Sequence, residues 1–344
     1  LQIPVLYGID AIHGVNYCKG ATLFVQPISV AASFNPQLAK EIAAATAYEC
    51  LAASLPWNFS PALDVGRHPA WPRLWESFGE DVYLNQIMGV ATVEGYQGAA
   101  GDRRTVAACL KHFTGYGLPL SGKDRTPAWI PERYLREYFL PAYQSAIDAG
   151  AMSIMVNSGE INGVPVHASH FLLTKVLREE MGFEGVLVTD WWDIVYLHKR
   201  HRIAPTMKEA VRLAIEAGID MSMTPFDTEF TDLLIELVEE GTIPEARIDT
   251  SVKRILELKA HLGLFTQAVN EPADYPLFGS EAHRKISLQS ARESLVLLKN
   301  EGDLLPLDKK AKILVCGPAA DNQRSLNGGW TANWQGDMAD TALA

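Results

Sequence analysis

Short apolar runs alternate with amphipathic stretches along most of the chain, and this alternation constrains the fold more than any other feature. The runs are apolar at consecutive positions, as expected of strands that are buried on both faces. The stretches between them follow helical spacing, for example at Ala39, Ile42, Ala43 and Thr46. The pattern predicts a parallel α/β fold. The predicted strands are Val5–Ile9, Asn58–Leu63, Val106–Leu110, Ser153–Asn157, Val186–Thr189 and Asp220–Met223.

Successive strand–helix units of about 35 residues fit a (β/α)8 TIM-like barrel that is incomplete at its N-terminus. A doubly wound open sheet is the competing arrangement. Polar residues at the ends of the predicted strands favour the barrel, because those ends meet at one face, where barrels build their active sites. These residues are Asp10, Asp64, Lys111, Asn157 and Asp190. The predicted helices are Pro36–Ser54, Val82–Ala99, Pro131–Ala149, Phe171–Glu180, Lys208–Ala217 and Glu229–Glu240.

A change of pattern after the last of these units predicts a domain boundary. A further helix from Arg247 to about Leu262 ends at Gly263, a residue type that commonly terminates helices. The segment that follows contains two prolines and has no periodicity, which is typical of a linker. We therefore expect a partial barrel over residues 1–266 and a linker over residues 267–280.

Residues 281–344 start a fresh helix–strand pattern and predict the beginning of a second α/β sandwich domain. Its first elements would be a helix at Glu281–Glu293 and strands at Leu295–Leu298 and Lys312–Cys316. The sequence opens at Leu1 on a strand-like run and stops at Ala344 soon after a strand begins. We therefore expect it to be a piece of a longer protein.

Charge and composition narrow the possible partners. The 344 residues carry a net charge of −11, which argues against nucleic acid or an anionic membrane surface, because either would select a basic face. No apolar run approaches the roughly 18–20 residues of a membrane helix, so we expect no membrane partner. The four cysteines form no CxxC pair, so neither a zinc site nor a redox motif is indicated. The sequence leaves the oligomeric state open.

The strand Val186–Thr189 ends at Asp190, which is followed by Trp191 and Trp192. A carboxylate at a barrel mouth can attack the anomeric carbon of a sugar, and a neighbouring aromatic ring can stack on the sugar's C–H face. The alternative interpretation is that Asp190 caps the next helix and the tryptophans belong to the core. This stretch alone does not decide between the two.

Three other groups of residues could hold sugar hydroxyls. Lys111 and His112 follow the third predicted strand and could donate to adjacent hydroxyls, although each could equally have a structural role. Arg73 lies in a connection rich in Pro and Trp and offers a rigid fork of donors. Asp10 ends the first strand and could bind two neighbouring hydroxyls.

These motifs, in this order, resemble glycoside hydrolase family 3, the β-glucosidase and exo-glucanase group. The resemblance extends through the linker into Ser294–Asn300 and Gly328–Gly336. It implies that Asp190, in a Thr-Asp-Trp motif, is the catalytic nucleophile and that Trp191 is the aromatic platform. It also implies that Asp10, Arg73, Lys111 and His112 bind substrate. Family members often carry a tyrosine that contacts the nucleophile where this chain has Ser158, so Ser158 or Glu160 is expected to reshape the site. We also expect Ser158 to be one of the substrate-binding residues.

The family also has an N-acetylglucosaminidase branch, which carries an Asp-x-His acid/base loop. The corresponding loop here, Ser121–Thr126, has no such pair, which disfavours that branch. In the glucosidase branch the general acid/base is a glutamate deep in the second domain. No glutamate between Glu281 and Glu301 stands in a matching context, so we expect the acid/base beyond Ala344.

The resemblance implies a retaining, exo-acting β-glycosidase that removes terminal β-D-glucosyl residues from β-linked gluco-oligosaccharides. β-Xylosidase and β-N-acetylglucosaminidase activities are alternatives within the family. A sugar-binding barrel without catalysis is a further possibility, and an aldolase that uses Lys111 is another. No metal or organic cofactor is expected. Relatives in this branch are often periplasmic or secreted.

Overall fold

The structure is a computed structural model that describes residues 3–98, 105–322 and 326–331. Its main sheet contains five parallel strands, and an isolated parallel bridge from Val188 to Met221 adds a sixth position. The order of strands in the sheet repeats their order in the chain, as in a barrel. In a doubly wound sheet, by contrast, the strand order reverses partway through the chain. The barrel-type α/β prediction is therefore confirmed. The strands are β1 (Gly8–Ile9), β2 (Trp57–Asn58), β3 (Ala107–Phe113), β4 (Ser153–Val156) and β5 (Val186–Val188).

Both faces of the sheet are buried, and they belong to two separate apolar clusters. Successive residues alternate between them, because side chains on a strand point to opposite faces. Leu110, for example, packs in the cluster beneath the outer helices, while Cys109 packs in the cluster on the opposite face. Leu258 and Leu262, from the region of the last barrel helix, complete this second cluster. Burial on both faces is the physical reason for the uninterrupted apolar runs.

The helices follow the predicted positions within a few residues. Several begin at a side chain that caps the first free backbone N–H groups, such as Asn35, whose Oδ1 accepts from the Leu38 amide at 3.1 Å. A short two-stranded hairpin pairs Glu160–Ile161 with Val164–Pro165. The helices are α1 (Pro27–Ala32), α2 (Pro36–Ala52), α3 (Val82–Gln97), α4 (Pro141–Asp148), α5 (Asp193–Lys199), α6 (Met207–Ala217), α7 (Glu229–Glu239), α8 (Glu245–His261) and α9 (Glu281–Glu293).

The predicted helix Pro131–Ala149 is not continuous. A short α-helical turn (Glu132–Tyr134) leads into a π-helical segment (Leu135–Phe139), and α4 starts only at Pro141. Pro141 has no N–H to donate, and its ring clashes with the preceding turn of a regular helix. A wider turn before the proline relieves that clash. Phe171–Glu180, predicted as a helix, is also π-helical.

Helix α9 forms as predicted, but the strands predicted after it are wrong. Within the described part of residues 295–331 there is no strand. The side chains of Leu295, Leu298 and Leu314 are instead 80%, 90% and 86% exposed. An apolar run becomes a strand only when another strand supplies its hydrogen bonds, and no partner lies beside these runs in the described structure. The motif around Trp334 lies outside the described residues, and the domain boundaries remain a prediction.

A buried carboxylate attaches the linker and α9 to the barrel. Glu49, on α2, is fully buried and accepts hydrogen bonds from the Thr22 amide (2.7 Å) and the Thr22 hydroxyl (2.8 Å). Its other donors are the Gly279 amide at 3.0 Å and His283 Nδ1 at 2.7 Å. The start of α9 is thus held by a buried carboxylate on helix α2.

Candidate active site

The structure brings together the polar residues from the ends of four strands. Asp10 follows β1, Lys111 and His112 lie near the end of β3, and Ser158 and Asp190 lie two residues beyond β4 and β5. Lys111 Nζ lies 2.6 Å from Asp10 Oδ1, and the Ser158 hydroxyl lies 2.9 Å from Asp190 Oδ2. His112 Nε2 lies 3.7 Å from the same Asp190 oxygen. These residues therefore form one cluster at the C-terminal face of the sheet.

Asp190 lies in a set of donors that favour its charged form. Its Oδ1 accepts from the Trp191 amide at 2.5 Å, and its Oδ2 lies 3.5 Å from Arg125 Nη2. Burial alone would raise the pKa of Asp190, but Arg125 and Arg73, with the Trp191 amide and the Ser158 hydroxyl, lower the pKa below its usual value. The result is a carboxylate that stays ionised although it is nearly buried, as a nucleophile requires.

Asp190 does not cap the helix that follows it. Helix α5 begins at Asp193, and the residue before it, Trp192, makes no side-chain capping bond. Trp191 is not a core residue either, since 48% of it is exposed. Its ring packs edge-on against Phe226 at a centroid distance of 5.9 Å. The geometry therefore favours the platform interpretation of Trp191 over the core interpretation.

Lys111 and Asp10 form an ion pair at the base of the cluster. Lys111 is 1% exposed, whereas the Asp10 side chain is 25% exposed. A buried ammonium needs such a partner, because an unpaired charge would carry a large desolvation cost. The exposed part of Asp10 remains able to accept hydrogen bonds from a ligand.

The orientation of His112 is fixed from both sides of its ring. Nδ1 lies 2.8 Å from Asp64 Oδ2, and Nε2 lies 3.1 Å from Arg73 Nη2. A guanidinium can only donate, so Nε2 accepts, and the ring hydrogen of neutral His112 is on Nδ1 and donates to Asp64. Burial, then the charges of Arg73, Lys111 and Arg125, hold the pKa of His112 well below its usual value, so the ring is neutral.

Arg73 is held by bonds to neighbouring side chains. Its Nε and Nη2 donate to the two carboxylate oxygens of Glu76 at 2.6 and 2.9 Å, and Nη1 lies 3.4 Å from the Tyr116 hydroxyl. Burial would lower the pKa of Arg73, but the bonds and charge of Glu76 raise it well above its usual value. The guanidinium is therefore a fixed positive charge beside His112.

Two ionisable residues of the cluster, Asp193 and Arg125, are absent from our sequence-based predictions. Asp193 is almost completely buried, and Arg125 links it to Asp190, with Nη1 lying 3.2 Å from Asp193 Oδ1. The spacing offered a signal for Asp193, since a second carboxylate three residues after Asp190 falls within one helical turn of it. Nothing in the loop around Arg125 indicated that this side chain reaches the site.

A segment from beyond α9 lies over the cluster. The ring of Trp330 lies 5.8 Å from Lys111 Nζ and 5.9 Å from the Arg73 guanidinium carbon. The segment is held by Gln26 Nε2, which donates to the Gly329 carbonyl at 3.1 Å. Trp330 thus places an aromatic ring beside two cations of the cluster.

No group of metal-ligating side chains occurs among the residues that the structure describes. In the same residues, no helix is both long and apolar enough to cross a membrane.

Two family models match the chain. Residues 1–258 match the model described as "Glycosyl hydrolase family 3 N terminal domain", and residues 295–344 match "Glycosyl hydrolase family 3 C-terminal domain".

The chain is also similar to curated and solved proteins. It is 47% identical to the lysosomal beta glucosidase of Dictyostelium discoideum, covering 99% of this chain and 43% of that protein. It is 36% identical to the periplasmic beta-glucosidase of Salmonella typhimurium, covering 100% of this chain and 45% of that protein. A beta-glucosidase structure from Listeria innocua superposes with a TM-score of 0.89 at 36% identity, covering 96% of this chain and 45% of that one. The chain thus spans less than half the length of these relatives.

Proposed function

The chain belongs to glycosyl hydrolase family 3, and from this premise we propose that the protein is a retaining, exo-acting β-glycosidase with Asp190 as its nucleophile. The observation that carries the proposal is the environment of Asp190. Its carboxylate is nearly buried, its pKa is lowered against the effect of burial chiefly by Arg125 and Arg73, and a half-exposed Trp191 stands beside it. A carboxylate held ionised next to an aromatic platform suits attack on an anomeric carbon.

In the proposed reaction the Asp190 carboxylate attacks the anomeric carbon and forms a covalent glycosyl–enzyme while the glycosidic oxygen departs. Water then cleaves that ester, so the anomeric configuration is retained. The acid/base that protonates the leaving oxygen and activates the water is expected beyond Ala344. Asp10, Lys111, Arg73 and His112 surround the terminal sugar in this proposal.

The proposed substrate is a terminal, non-reducing β-D-glucosyl unit of a β-linked gluco-oligosaccharide. Support comes from the ion pair between Lys111 and Asp10, which fixes the Asp10 carboxylate and leaves part of it exposed to accept hydrogen bonds from adjacent hydroxyls. The related Listeria protein has also been solved in complex with glucose. β-Xylosidase and β-N-acetylglucosaminidase remain the alternatives, and ratios of kcat/KM for matched aryl glycosides separate the three.

The nucleophile is tested by covalent trapping. The protein expressed from its complete open reading frame is incubated with an activated 2-fluoro β-glucoside, and the adduct is mapped by mass spectrometry. We expect the label on Asp190. Asp190→Asn should lower kcat by several orders of magnitude with the fold unchanged, because it removes the attacking charge and keeps the shape. Label on a different residue would refute the assignment.

The same experiment separates the proposal from rivals in other classes. A barrel that only binds sugar would bind a glucoside without forming any adduct. An aldolase would form a Schiff base at Lys111, which borohydride reduction in the presence of a carbonyl substrate would fix. The buried ion pair of Lys111 with Asp10 counts against the aldolase, because the amine is 1% exposed and already bound to a carboxylate, whereas an aldolase lysine must reach a substrate carbonyl.

Location outside the cytosol is part of the same proposal. It rests on relatives whose names place them in the periplasm or the lysosome. Cell fractionation of the native host, with the protein detected by antibody, tests it.

A further inference from the structure

The hydroxyl of Ser158 lies between two carboxylates. Its oxygen is 2.9 Å from Asp190 Oδ2 and 2.6 Å from Asp193 Oδ2, and both distances are within hydrogen-bonding range. A serine hydroxyl has one hydrogen, and ionised carboxylates only accept. One of the two contacts therefore needs a hydrogen that Ser158 cannot supply. Either Asp190 or Asp193 must be protonated for both bonds to exist.

The other groups around the two carboxylates identify which one holds this proton. Asp190 accepts from the Trp191 amide and lies within 3.5 Å of Arg125 Nη2, and these donors favour its charge. Asp193 is more deeply buried, with a side chain that is 2% exposed, and it shares the Arg125 guanidinium with Asp190. A single cation beside two buried carboxylates leaves one of them uncompensated, and protonation removes that charge.

The remaining ionisable groups that face Asp193 do not supply the missing charge. His167 Nε2 lies 3.7 Å from Asp193 Oδ2 and makes no hydrogen bond in the described structure, and burial lowers the pKa of His167 to about 3. Arg125 and Arg200 lower the pKa of Asp193, but they do not outweigh the opposing effects. Burial and the charge of Asp190 raise that pKa.

We propose that Asp193 is a positioning residue that is protonated in the resting enzyme and, through the Ser158 hydroxyl, directs a hydrogen bond onto Asp190. The Asp193 hydroxyl donates to Ser158 Oγ, and Ser158 donates to Asp190 Oδ2. These two hydrogen bonds take the place of the tyrosine contact that the family resemblance implies. It rests on the proposed function, since Asp190 must be the nucleophile for its orientation to affect the rate.

The two hydrogen bonds from Asp193 through Ser158 affect the orientation of Asp190 and not its intrinsic reactivity. A hydrogen bond to a carboxylate reduces its charge density, so it does not by itself make Asp190 a better nucleophile. It does hold the side chain in one rotamer, and a nucleophile misplaced by about 1 Å can lose about 100-fold in rate. Loss of these hydrogen bonds should therefore lower the rate of glycosyl–enzyme formation with little change in substrate binding.

Four variants test this in the protein expressed from its complete open reading frame. Asp193→Ala and Ser158→Ala should each slow trapping by a dinitrophenyl 2-fluoro glucoside by roughly 10–100-fold, since each interrupts the hydrogen bonds from Asp193 through Ser158 to Asp190. Asp193→Asn should lose far less, because its amide can donate to Ser158 and its carbonyl can accept from Arg125. The double variant should be no slower than either alanine variant, because the two residues act in series.

The pH dependence supplies a readout that a purely structural role would not change. Dinitrophenolate leaves without protonation, so a fall in trapping rate at high pH that Asp193→Asn abolishes reports loss of the Asp193 proton. The variant is needed for this assignment, because burial also raises the pKa of Asp64 to about 8. Wild-type enzyme should show that fall, and Asp193→Asn should not. In the resting protein, the infrared absorption of protonated carboxylic acids should lose one component in Asp193→Asn, whether or not the enzyme is active. A component from Asp64 should remain, because burial raises the pKa of Asp64 to about 8.

The outcomes separate the two proposals. If wild-type protein forms no adduct at Asp190, the proposed function fails. If it labels Asp190 but Asp193→Ala reacts at the wild-type rate, only the present inference fails. Asparagine and alanine variants that are equally slow, additive losses in the double variant, or an unchanged infrared band would also overturn it.

Discussion

At the scale of single residues, the site is a set of charges that hold one another in place. Lys111 is paired with Asp10, Arg73 with Glu76, and Arg125 with both Asp190 and Asp193. Each cation is therefore oriented before any ligand arrives. Preorganised donors of this kind need no rearrangement as charge develops in a transition state.

The ion pair between Lys111 and Asp10, at the base of the cluster, gives the first residue-scale prediction. Asp10→Ala and Lys111→Ala should each weaken transition-state binding by about 2–5 kcal/mol, the range for losing charge-assisted hydrogen bonds in a site that excludes water. The measurement is kcat/KM on an aryl β-glucoside with the protein from its complete open reading frame. Tyr83→Ala, at an exposed position on α3, is the control and should match wild type. Wild-type kcat/KM in either pocket variant would show that the pocket is assigned wrongly.

The sequence predicts some of these residues far better than others. Asp10, Lys111 and Asp190 could be singled out because apolar strands end beside them, and strand ends converge in a barrel. Arg125 lies in a loop with no periodic pattern, so its reach to Asp190 depends on tertiary packing that no local spacing encodes. Asp193 lies three residues after Asp190 in the sequence, which suggests that the two could be close. This spacing does not reveal that both contact the same hydroxyl.

At the scale of elements, the predicted strands are found near their predicted positions where neighbours exist, and they are missing where none do. The first two are nevertheless only two residues long, and Asp220–Met223 contributes a single bridge at Met221. The run that became β4 lies between β3 and β5, which satisfy its backbone groups on both sides. Leu295–Leu298 is equally apolar but has no strand beside it in the described residues. Apolar pattern therefore predicts the tendency to pair, while pairing itself depends on a second segment.

Interruptions within helices are only partly predictable from the sequence. The interruption before Pro141 could be foreseen from the proline, since it cannot continue the hydrogen-bond ladder. The π-helical turns at Phe171–Glu180 have no such marker, because the segment contains neither Gly nor Pro. No residue type within the segment therefore predicts them.

The attachment of α9 to α2 gives an element-scale prediction. Glu49→Ala should lower the free energy of unfolding by about 3–5 kcal/mol, because it leaves His283, Gly279 and Thr22 with buried donors that have lost their acceptor. Urea denaturation followed by tryptophan fluorescence measures the change. Glu41→Ala, which removes only a surface bond from Gln37, should stay within about 0.5 kcal/mol of wild type. Equal stability of the two variants would mean that this attachment contributes little.

At the scale of the whole molecule, the expected division of the two catalytic groups has a kinetic consequence. Asp190 is within the 344 residues, and the acid/base is expected beyond them. Without proton donation an ordinary alkoxide must leave unaided, whereas dinitrophenolate leaves readily. Acid–base assistance is typically worth about 10²–10⁴-fold. We therefore expect the 344-residue chain to cleave cellobiose far more slowly than the protein from its complete open reading frame.

The measurement compares cellobiose with a dinitrophenyl β-glucoside for both proteins. The deficit of the 344-residue chain should be large for cellobiose and much smaller for the activated substrate. Azide should accelerate its reaction with the activated substrate, since this anion attacks the glycosyl–enzyme without needing a base. Equal cellobiose hydrolysis by the two proteins would show that an acid/base resides within these residues.

The exposed leucines after α9 also affect how the molecule behaves in concentrated solution. Leu295, Leu298 and Leu314 present apolar side chains to neighbouring molecules, which is a short-range attraction. The net charge of −11 opposes it with a longer-range repulsion. Added salt weakens the repulsion, since the screening length falls to about 10 Å at 0.1 M, but leaves the attraction intact. Colloidal stability should therefore be greatest in dilute buffer, and salt should favour association through this surface.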